Sequence, residues 1–516
     1  MGSLTPTTTK LSSKECEVSP DASGNVAYGD AESVSARHVD PALSFKMGLV
    51  NDAIDQIGFT PYHLKLFFLN GFGYAADSLL AFLPSIAATN VAAEFNPAYR
   101  RAGQLSLYIG LLFGALFWGI TADIIGRKWA FNTSLLMSAV FTIVAGAAPN
   151  YESWTFFNAM LAFGAGGNLV LDTTVFLEYL PHGKTWLITL MAAWWGVGQT
   201  LAGLFAWAFL PNFSCASAAT GCSRSENQGW RYLYYTAGGV VFVMSILRVT
   251  IIRFHETPKF SLCQNDDEMV IKTLGSIAEK YNRPFTLTVH QLQQCGEVST
   301  SHAKSRTSIS ELTIHYRGLF STRAQGLSTA LLWLSWCLIG LAYPLFYIFL
   351  PDYFASRGAD FGDMSAYLTW RDYAITNTLA IPGPVIAGYM CKTKLFGRKY
   401  TMAFGGVLSM AFLLAYTTAR NAAANLGFSC VISIVINIYY GTLYAYTPEA
   451  LPSAHRATGN GTAVACNRFF GIISVVIATF ADTSTSVPIY LCAALFGGLA
   501  VISVIFPFEP ARNHSL

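Results

Sequence analysis

Twelve apolar runs, each close to the length that crosses a bilayer, leave this chain little freedom in what it folds into. A spanning helix needs roughly 20 mostly apolar residues. Such runs cover 64–88, 104–122, 128–147, 154–180, 185–210 and 231–253, then 325–350, 369–391, 400–419, 424–447, 461–481 and 488–508. Pro84, Pro344, Pro382 and Pro384 lie inside them, which membrane helices tolerate. Charged residues make up 12% of the 516. Soluble domains carry about 25%, so too little polar surface is present for a water-soluble particle. The expected fold is all-α and polytopic, with twelve transmembrane helices in two six-helix halves.

The halves look duplicated. Residues 119–128 read GITADIIGRK between the second and third runs, and Gly397-Arg398-Lys399 is a weaker copy between the eighth and ninth. Glu178-Tyr179-Leu180-Pro181 is echoed by Glu449-Ala450-Leu451-Pro452. Both repeats share an offset of 271 residues, the mark of a duplicated membrane domain. The expected organisation is a disordered cytoplasmic tail over 1–48, a first half over 49–253, a cytoplasmic linker with short helices over 254–323, a second half over 324–510 and a tail over 511–516. A short amphipathic helix over 50–57 would lie on the cytoplasmic face. Within the linker, 266–280 has helical spacing, with Met269, Ile271, Leu274 and Ile277 apolar, and 296–310 is rich in Ser and Thr.

Orientation follows from Lys and Arg. With both termini in the cytoplasm, the inner side holds Arg127, Lys128, Lys184, Lys392, Lys394, Arg398, Lys399, Arg456 and the bases of the linker. Asn212-Phe213-Ser214 is then a glycosylation acceptor in an outer loop between the fifth and sixth runs. Cys215 and Cys222 flank that loop's tip, as an external disulfide or as two free thiols. The Asn132 and Asn460 sequons fall in or beside inner membrane segments and should stay unmodified. The N-terminus lacks an apolar core, so no cleaved signal peptide is expected. The net charge of +3 is spread thinly, which speaks against nucleic acid. Ten cysteines without a CxxC pair indicate no zinc or redox motif, and no metal or cofactor is expected.

At this point the residues resemble the major facilitator superfamily. Gly119-x-x-x-Asp123-x-x-Gly126-Arg127-Lys128 is similar to its signature between helices two and three. His255-Glu256-Thr257-Pro258-Lys259-Phe260 resembles the segment that follows helix six in sugar porters. Tyr446-Thr447-Pro448-Glu449-Ala450-Leu451-Pro452, with Arg456 and Gly459, resembles the segment between helices ten and eleven. Gly166-Gly167-Asn168-Leu169 with Asp172 and Glu178 looks closer to the branch of niacin permease-like, synaptic vesicle glycoprotein-like and organic-ion transporters, with their fungal relatives. The resemblance covers about 49–510. Two departures stand out. Lys394 occupies the offset position of Asp123, and Gly196-Val197-Gly198-Gln199 replaces the GPxxGG pattern of drug/proton antiporters. The resemblance implies an inner gate of ion pairs built from Asp123, Arg127, Glu178, Glu256, Arg398, Glu449 and Arg456, with Glu509 nearby. Pairs made and broken at a partly dry interface suit a two-state element; the plainer reading is loop charges that fix topology.

Three charges deep inside apolar runs stand out. Asp77 sits roughly 20 Å from the inner end of the first run, Asp172 about 13 Å before Pro181, and Arg468 about 18 Å beyond Arg456 at the helical rise. Charges at such depth need pairing or water. The resemblance places their helices along or beside a central cavity. There a desolvated Asp carries a proton, or an Asp–Arg pair merely fixes packing. If Asp77 or Asp172 neutralises Arg468, the site suits an uncharged solute; otherwise Arg468 is free for a carboxylate in a two-pronged bond. Asn168, Trp194, Trp195, Gln199, Trp333, Trp336, Tyr343, Tyr347, Asn377, Asn437, Tyr439 and Tyr440 are candidate lining groups, since rings with a few polar groups suit small organic ligands.

The expected function is a monomeric secondary active transporter in the plasma membrane, taking a small organic solute by alternating access with proton coupling. A small organic anion or weak acid is favoured over a sugar-like neutral solute or an exported metabolite. The different-class alternative is a non-transporting nutrient sensor. No GxxxxGK[ST] or HExxH segment is present, which argues against an ATP-driven pump or a metalloenzyme.

Overall fold

No water reaches backbone amides inside a bilayer, so each crossing must satisfy its own hydrogen bonds as a helix. A computed structural model describes residues 41–125, 127–215, 222–251, 257–298, 316–361, 365–393, 395–452, 455–480 and 485–509, and every regular element among them is helical. The first six crossings are α2 (Pro61–Phe95), α3 (Ala102–Ile125), α4 (Arg127–Gly146), α5 (Tyr151–Tyr179), α6 with α7 (Trp186–Met191, Ala193–Phe213) and α8 (Gly229–Ile251). They are preceded by α1 (Pro41–Ile57) and followed by the linker helices α9 (Pro258–Cys263), α10 (Asp267–Lys280) and α11 (Val289–Gln294). The second six are α12 (Arg323–Phe361), α13 with α14 (Ala366–Thr378, Pro382–Lys392), α15 (Gly397–Tyr416), α16 (Ala422–Ala450), α17 (Arg456–Phe480) and α18 (Val487–Ile505). Eight helical stretches among the described residues are long and apolar enough to span, one of them running from His182 through α6 and α7 to Phe213. Phe113, Phe117, Val140, Phe404 and Val501 stand exposed on the outside of the bundle, as a lipid-facing surface requires.

The duplication is visible in the helices. Tyr151–Tyr179 and Ala422–Ala450 are 29 residues each and share the offset of the sequence repeats. Each starts from an asparagine: Asn150 accepts from the Ser153 amide at 2.8 Å and Asn421 from the Ala424 amide at 2.7 Å. The eighth crossing, expected as one run over 369–391, is broken. Pro382 and Pro384 have no amide hydrogen, and Ala380 and Ile381 make tighter bonds, to Asn377 O and Thr378 O. The halves meet where α3 packs on α17 and α7 on α13. The Tyr99 hydroxyl bonds the Thr479 hydroxyl at 3.0 Å across this join.

One end of the bundle carries α1 and the linker helices; the other carries a disulfide between Cys215 and Cys222. The sequence left that pair open. Asn212 was expected in a loop but sits, exposed, in the last turn of α7, where its side chain donates to Ala208 O at 3.3 Å. The helix continues past Pro211 and takes the sequon's first two residues with it.

The expected tail over 1–48 is also corrected, because its last residues begin α1 at Pro41. Val50, Ala53, Ile54 and Ile57 form the buried stripe of α1, against Leu262 of α9 and Val270, Leu274 and Ile277 of α10. The apolar spacing of α10 misled on one position: Met269 is exposed and Val270 buried. The reason is Asp267, which must face inward. Its carboxylate takes the Lys46 ammonium at 2.7 Å, both side chains being almost fully buried. Asp55 accepts from the His182 amide at 2.8 Å and Thr286 donates to Gln56 at 2.9 Å, so α1 is tied to the bundle and to the linker alike.

Removing one member of a buried pair leaves the other charged and alone. Lys46→Ala is expected to destabilise the α1–α10 contact by about 3–5 kcal/mol, and Lys46→Met with Asp267→Leu by much less. Amide exchange over 41–57 reads both. Equal protection in the single and double variants would show that the pair does not hold α1.

Candidate functional site

Helices α2 and α5 run antiparallel, and each carries two residues of one face a turn apart: Gly73 and Asp77, Asp172 and Asn168. The opposed directions put Gly73 level with Asp172 and Asp77 level with Asn168. At the first level, a Cβ on Gly73 would fall 2.0 Å from Asp172 Oδ2 and 3.0 Å from Arg248 Nη2. Glycine is what lets α2 close over the Asp172–Arg248 pair, in which Nη2 donates to Oδ1 at 2.5 Å. Both side chains are buried. At the second level, Arg248 Nη1 donates to Asn168 Oδ1 at 2.9 Å, and Asn168 Nδ2 donates to Asp77 Oδ1 at 3.2 Å. Asp77 Oδ2 is buried without a hydrogen bond. Beside this network the Tyr74 and Thr173 hydroxyls bond each other.

Sequence reasoning singled out Asp77, Asn168 and Asp172, and the structure brings them together. It missed Arg248, which joins them. Arg248 lies three residues from the end of α8, where a base reads as a topology charge; the signal was its position inside the sixth apolar run. Of the two acids suggested to neutralise Arg468, Asp172 is paired with Arg248 instead. Asp77 is hydrogen-bonded by Asn168 and keeps Arg468 among the charges acting on it. Among the described residues Arg468 forms no ion pair, and its Nε is buried without a hydrogen bond. Arg468 on α17 acts on Tyr108 of α3 and on Tyr440 and Tyr444 of α16 as well as on Asp77.

Rings crowd the middle of the bundle. Trp195 of α7 packs on Tyr440 and Tyr444 with centroids 5.0 and 4.9 Å apart, Tyr444 on Trp336 at 4.6 Å, and Tyr440 on Tyr343 at 5.0 Å. Gln199 Nε2 donates to the Tyr343 hydroxyl at 2.7 Å, so α7 of one half touches α12 and α16 of the other through rings and an amide. Trp195 Nε1 and Gln199 Oε1 remain buried without hydrogen bonds. Buried polar groups are nearly always paired; unpaired ones beside a free guanidinium suit a ligand. Asn377 and Asn437 donate to the backbone of their own helices, to Tyr373 O and Ser433 O. Trp194 packs on Phe68 and Phe72, and Tyr439 on Phe496, away from the cluster.

At the linker end, Arg398 Nη2 donates to Glu449 at 2.5 Å and Nη1 to the Thr189 hydroxyl at 2.6 Å. Thr189, which sequence did not flag, carries this contact across the halves. Glu509 accepts from the Arg398 and Lys399 amides at 2.9 and 3.0 Å, capping α15. Gly397 has φ +57, and a Cβ there would fall 2.8 Å from that carboxylate. Glu178 is buried at the end of α5, and Arg456 at the start of α17 donates to Leu451 O at 3.4 Å. The side chains of Asp123 and Arg127, and all of Glu256, lie outside the described residues. At the opposite end Glu94 holds Arg231 at 2.7 Å and Trp230 Nε1 at 3.0 Å, clasping α2 to α8.

Comparison with known proteins bears on the family and the fold. Residues 66–475 match the family model for the Major Facilitator Superfamily. A Ceriporiopsis subvermispora protein named MFS siderochrome iron transporter 1 is 38% identical, over 93% of each chain. The major facilitator-type transporter hxnZ of Emericella nidulans is 34% identical over 95% of this chain and 92% of its own. Among solved structures, a partially occluded inward-open conformation of the xylose transporter XylE from E. coli superposes with a TM-score of 0.61 at 14% identity, over 87% of this chain and 99% of that one.

The Gly73 contact makes a sharp expectation. Gly73→Ala forces a methyl group into the Asp172–Arg248 pair and should cost about 1–3 kcal/mol, as overpacking does. Gly239→Ala on α8, with nothing within 4 Å of its Cβ, serves as the neutral control. Thermal unfolding of the purified variants compares them. Equal melting temperatures would mean that α2 has room to shift.

Proposed function

The chain belongs to the major facilitator superfamily of membrane transporters, and from that premise we propose that it is a proton-coupled carrier of a small organic anion. The observation that carries this reading is Arg468: a guanidinium in the middle of α17, beside the ring cluster, with no ion pair among the described residues. A guanidinium cannot shed its charge, so between membrane helices it awaits an anion or water. A carboxylate fits its two-pronged donor geometry, and the rings of Trp195, Tyr440 and Tyr444 supply apolar contact for the rest of the solute. Asp77, with one oxygen unbonded and Arg468 among the charges acting on it, is the proton acceptor in this reading. Proton uptake there withdraws a competing negative charge from Arg468. The relatives' names point to different solutes, so the class is read from the site. A neutral sugar-like solute is the second reading, because ring faces and amides without a free acid also suit sugars. Among the groups close to the site, the rings outnumber the one cation.

The test is competition in a flux assay offered carboxylates, sugars and organic cations. Losing a charge-assisted hydrogen bond costs about 1.5–3 kcal/mol, so Arg468→Gln should weaken carboxylate inhibition about tenfold or more. Asp77→Asn, which keeps shape but takes no proton, should abolish accumulation driven by a pH gradient while exchange survives. If cations compete best, or carboxylate inhibition survives in Arg468→Gln, the anion reading falls.

The linker end is read as cytoplasmic and the membrane as the plasma membrane. Lys184, Lys392, Lys399 and Arg456 gather at the linker end, and the disulfide at the other end suits an oxidising exterior. Asn212, beside that disulfide, should then carry a glycan that Asn212→Gln removes as a mobility shift. Labelling of a cysteine placed in 296–310 from outside intact cells would reverse the orientation.

A further inference from the structure

We propose that Asn168 is the positioning residue that sets the proton affinity of Asp77, and that Arg248 dictates which way its amide faces. The inference rests on the proton-coupled reading of Asp77. Asn168 is fully buried on α5. Its Oδ1 accepts from Arg248 Nη1 at 2.9 Å and its Nδ2 donates to Asp77 Oδ1 at 3.2 Å. A guanidinium has only donors and an ionised carboxylate only acceptors. A flipped amide would set its NH2 against Arg248 and its oxygen against Asp77, turning two bonds into two repulsions. The orientation is therefore fixed by the neighbours.

Arg248 in turn cannot swing away. Asp172 holds its Nη2 at 2.5 Å, and α2 closes over the pair at Gly73. The line of contacts runs from α8 through α5 to α2, and ends in a hydrogen-bond donor aimed at one oxygen of Asp77. A donor aimed at a carboxylate favours its ionised form. The other groups that act on Asp77 are Asp172 on α5, Arg248 on α8, Arg468 on α17 and Tyr74 on its own helix. Among the described residues, Asn168 is the one that hydrogen-bonds Asp77. Asp77 Oδ2, unbonded, is the oxygen left to take the proton. An apolar residue at 168 would remove the donor to Asp77 together with the acceptor of Arg248 Nη1, while Asp172 still holds Arg248 through Nη2, so Asp77 would keep its proton to higher pH.

The experiment needs no transported solute, because the proton itself is the probe. Full-length protein in liposomes is titrated with pH while infrared difference spectra follow the carboxylic-acid carbonyl stretch. Asp77→Asn identifies the band. Asn168→Leu should move its midpoint upward by about one pH unit, the size expected for a lost hydrogen bond to a charged group. Asn168→Ala, which removes the same donor and adds no carboxyl of its own, should move it as far, and decides the matter should Asn168→Leu fail to fold. A wild-type midpoint in these variants, with the band present, would reduce Asn168 to packing and overturn the inference alone. A band that survives Asp77→Asn would overturn the proton-coupled reading, and this inference with it.

Discussion

A charge inside an apolar bundle must be neutralised where it stands, and this one requirement organises the structure. Water is not at hand to solvate it, and an uncompensated ion costs several kcal/mol. The chain meets the requirement with buried pairs drawn from different helices. Asp172 with Arg248 joins α5 to α8, Glu94 with Arg231 joins α2 to α8, and Arg398 with Glu449 joins α15 to α16. Each pair then fixes something else. Asp172 and Arg248 demand a glycine on α2. Arg398 has a donor left over for Thr189 on the other half. Lys46 and Asp267 carry the same logic into the linker, where they decide which face of α10 turns inward. Against this background the unpaired groups gain meaning. Asp77 keeps one unbonded oxygen and Arg468 keeps its charge, and both sit on helices that border the ring cluster.

The scaffold is duplicated, but its chemistry is not. α5 and α16 have the same length and the same asparagine cap, and Glu178 and Glu449 close them at equivalent positions. Along the same register, Asn168 corresponds to Tyr439 and Asp172 to Leu443. One half has thus kept the acids and amide of the network, while the other holds Arg468 and most of the rings. A solute that needs both a cation and a proton-bearing acid must touch both halves. Binding then draws together two bodies that the fold joins mainly along α3–α17 and α7–α13.

Much of this was legible from residues alone, for physical reasons. Spans follow from apolar length, and the helices lie where the runs placed them, because the bilayer permits nothing else for such runs. The depth of Asp77, Asp172 and Arg468 singled them out. Arg248 escaped notice because its distance from the helix end is ordinary for a snorkelling base; only the neighbours show that it points inward. The break in the eighth crossing was written in Pro382 and Pro384, yet membrane helices tolerate proline often enough that the pattern alone does not decide. The buried face of α10 was misjudged at Met269 because apolar spacing ignores a buried ion pair. The Cys215–Cys222 bond depends on chain geometry that spacing leaves open.

The contacts between halves bear on how such a molecule changes state. At the linker end they include the Arg398–Thr189 hydrogen bond, and at the other end the Tyr99–Thr479 bond and the packing of Trp207 on Tyr367 with centroids 5.4 Å apart. Each polar contact is worth about 1–3 kcal/mol, and a ring pair about 0.5–1.5 kcal/mol beyond its buried area. A difference of a few kcal/mol is enough to move a two-state population from one side to the other, and a ligand that bridges Arg468 and the α7 rings is of that order. Within each half, by contrast, separating α5 from α8 would expose the Asp172–Arg248 pair, and parting α2 from α8 the Glu94–Arg231 pair. The economical motion is therefore rigid rocking of one half on the other. The polar network around Asp77 stays intact within its half in such a motion, and in the proposed reading a proton on Asp77 and an anion on Arg468 change what holds the halves together.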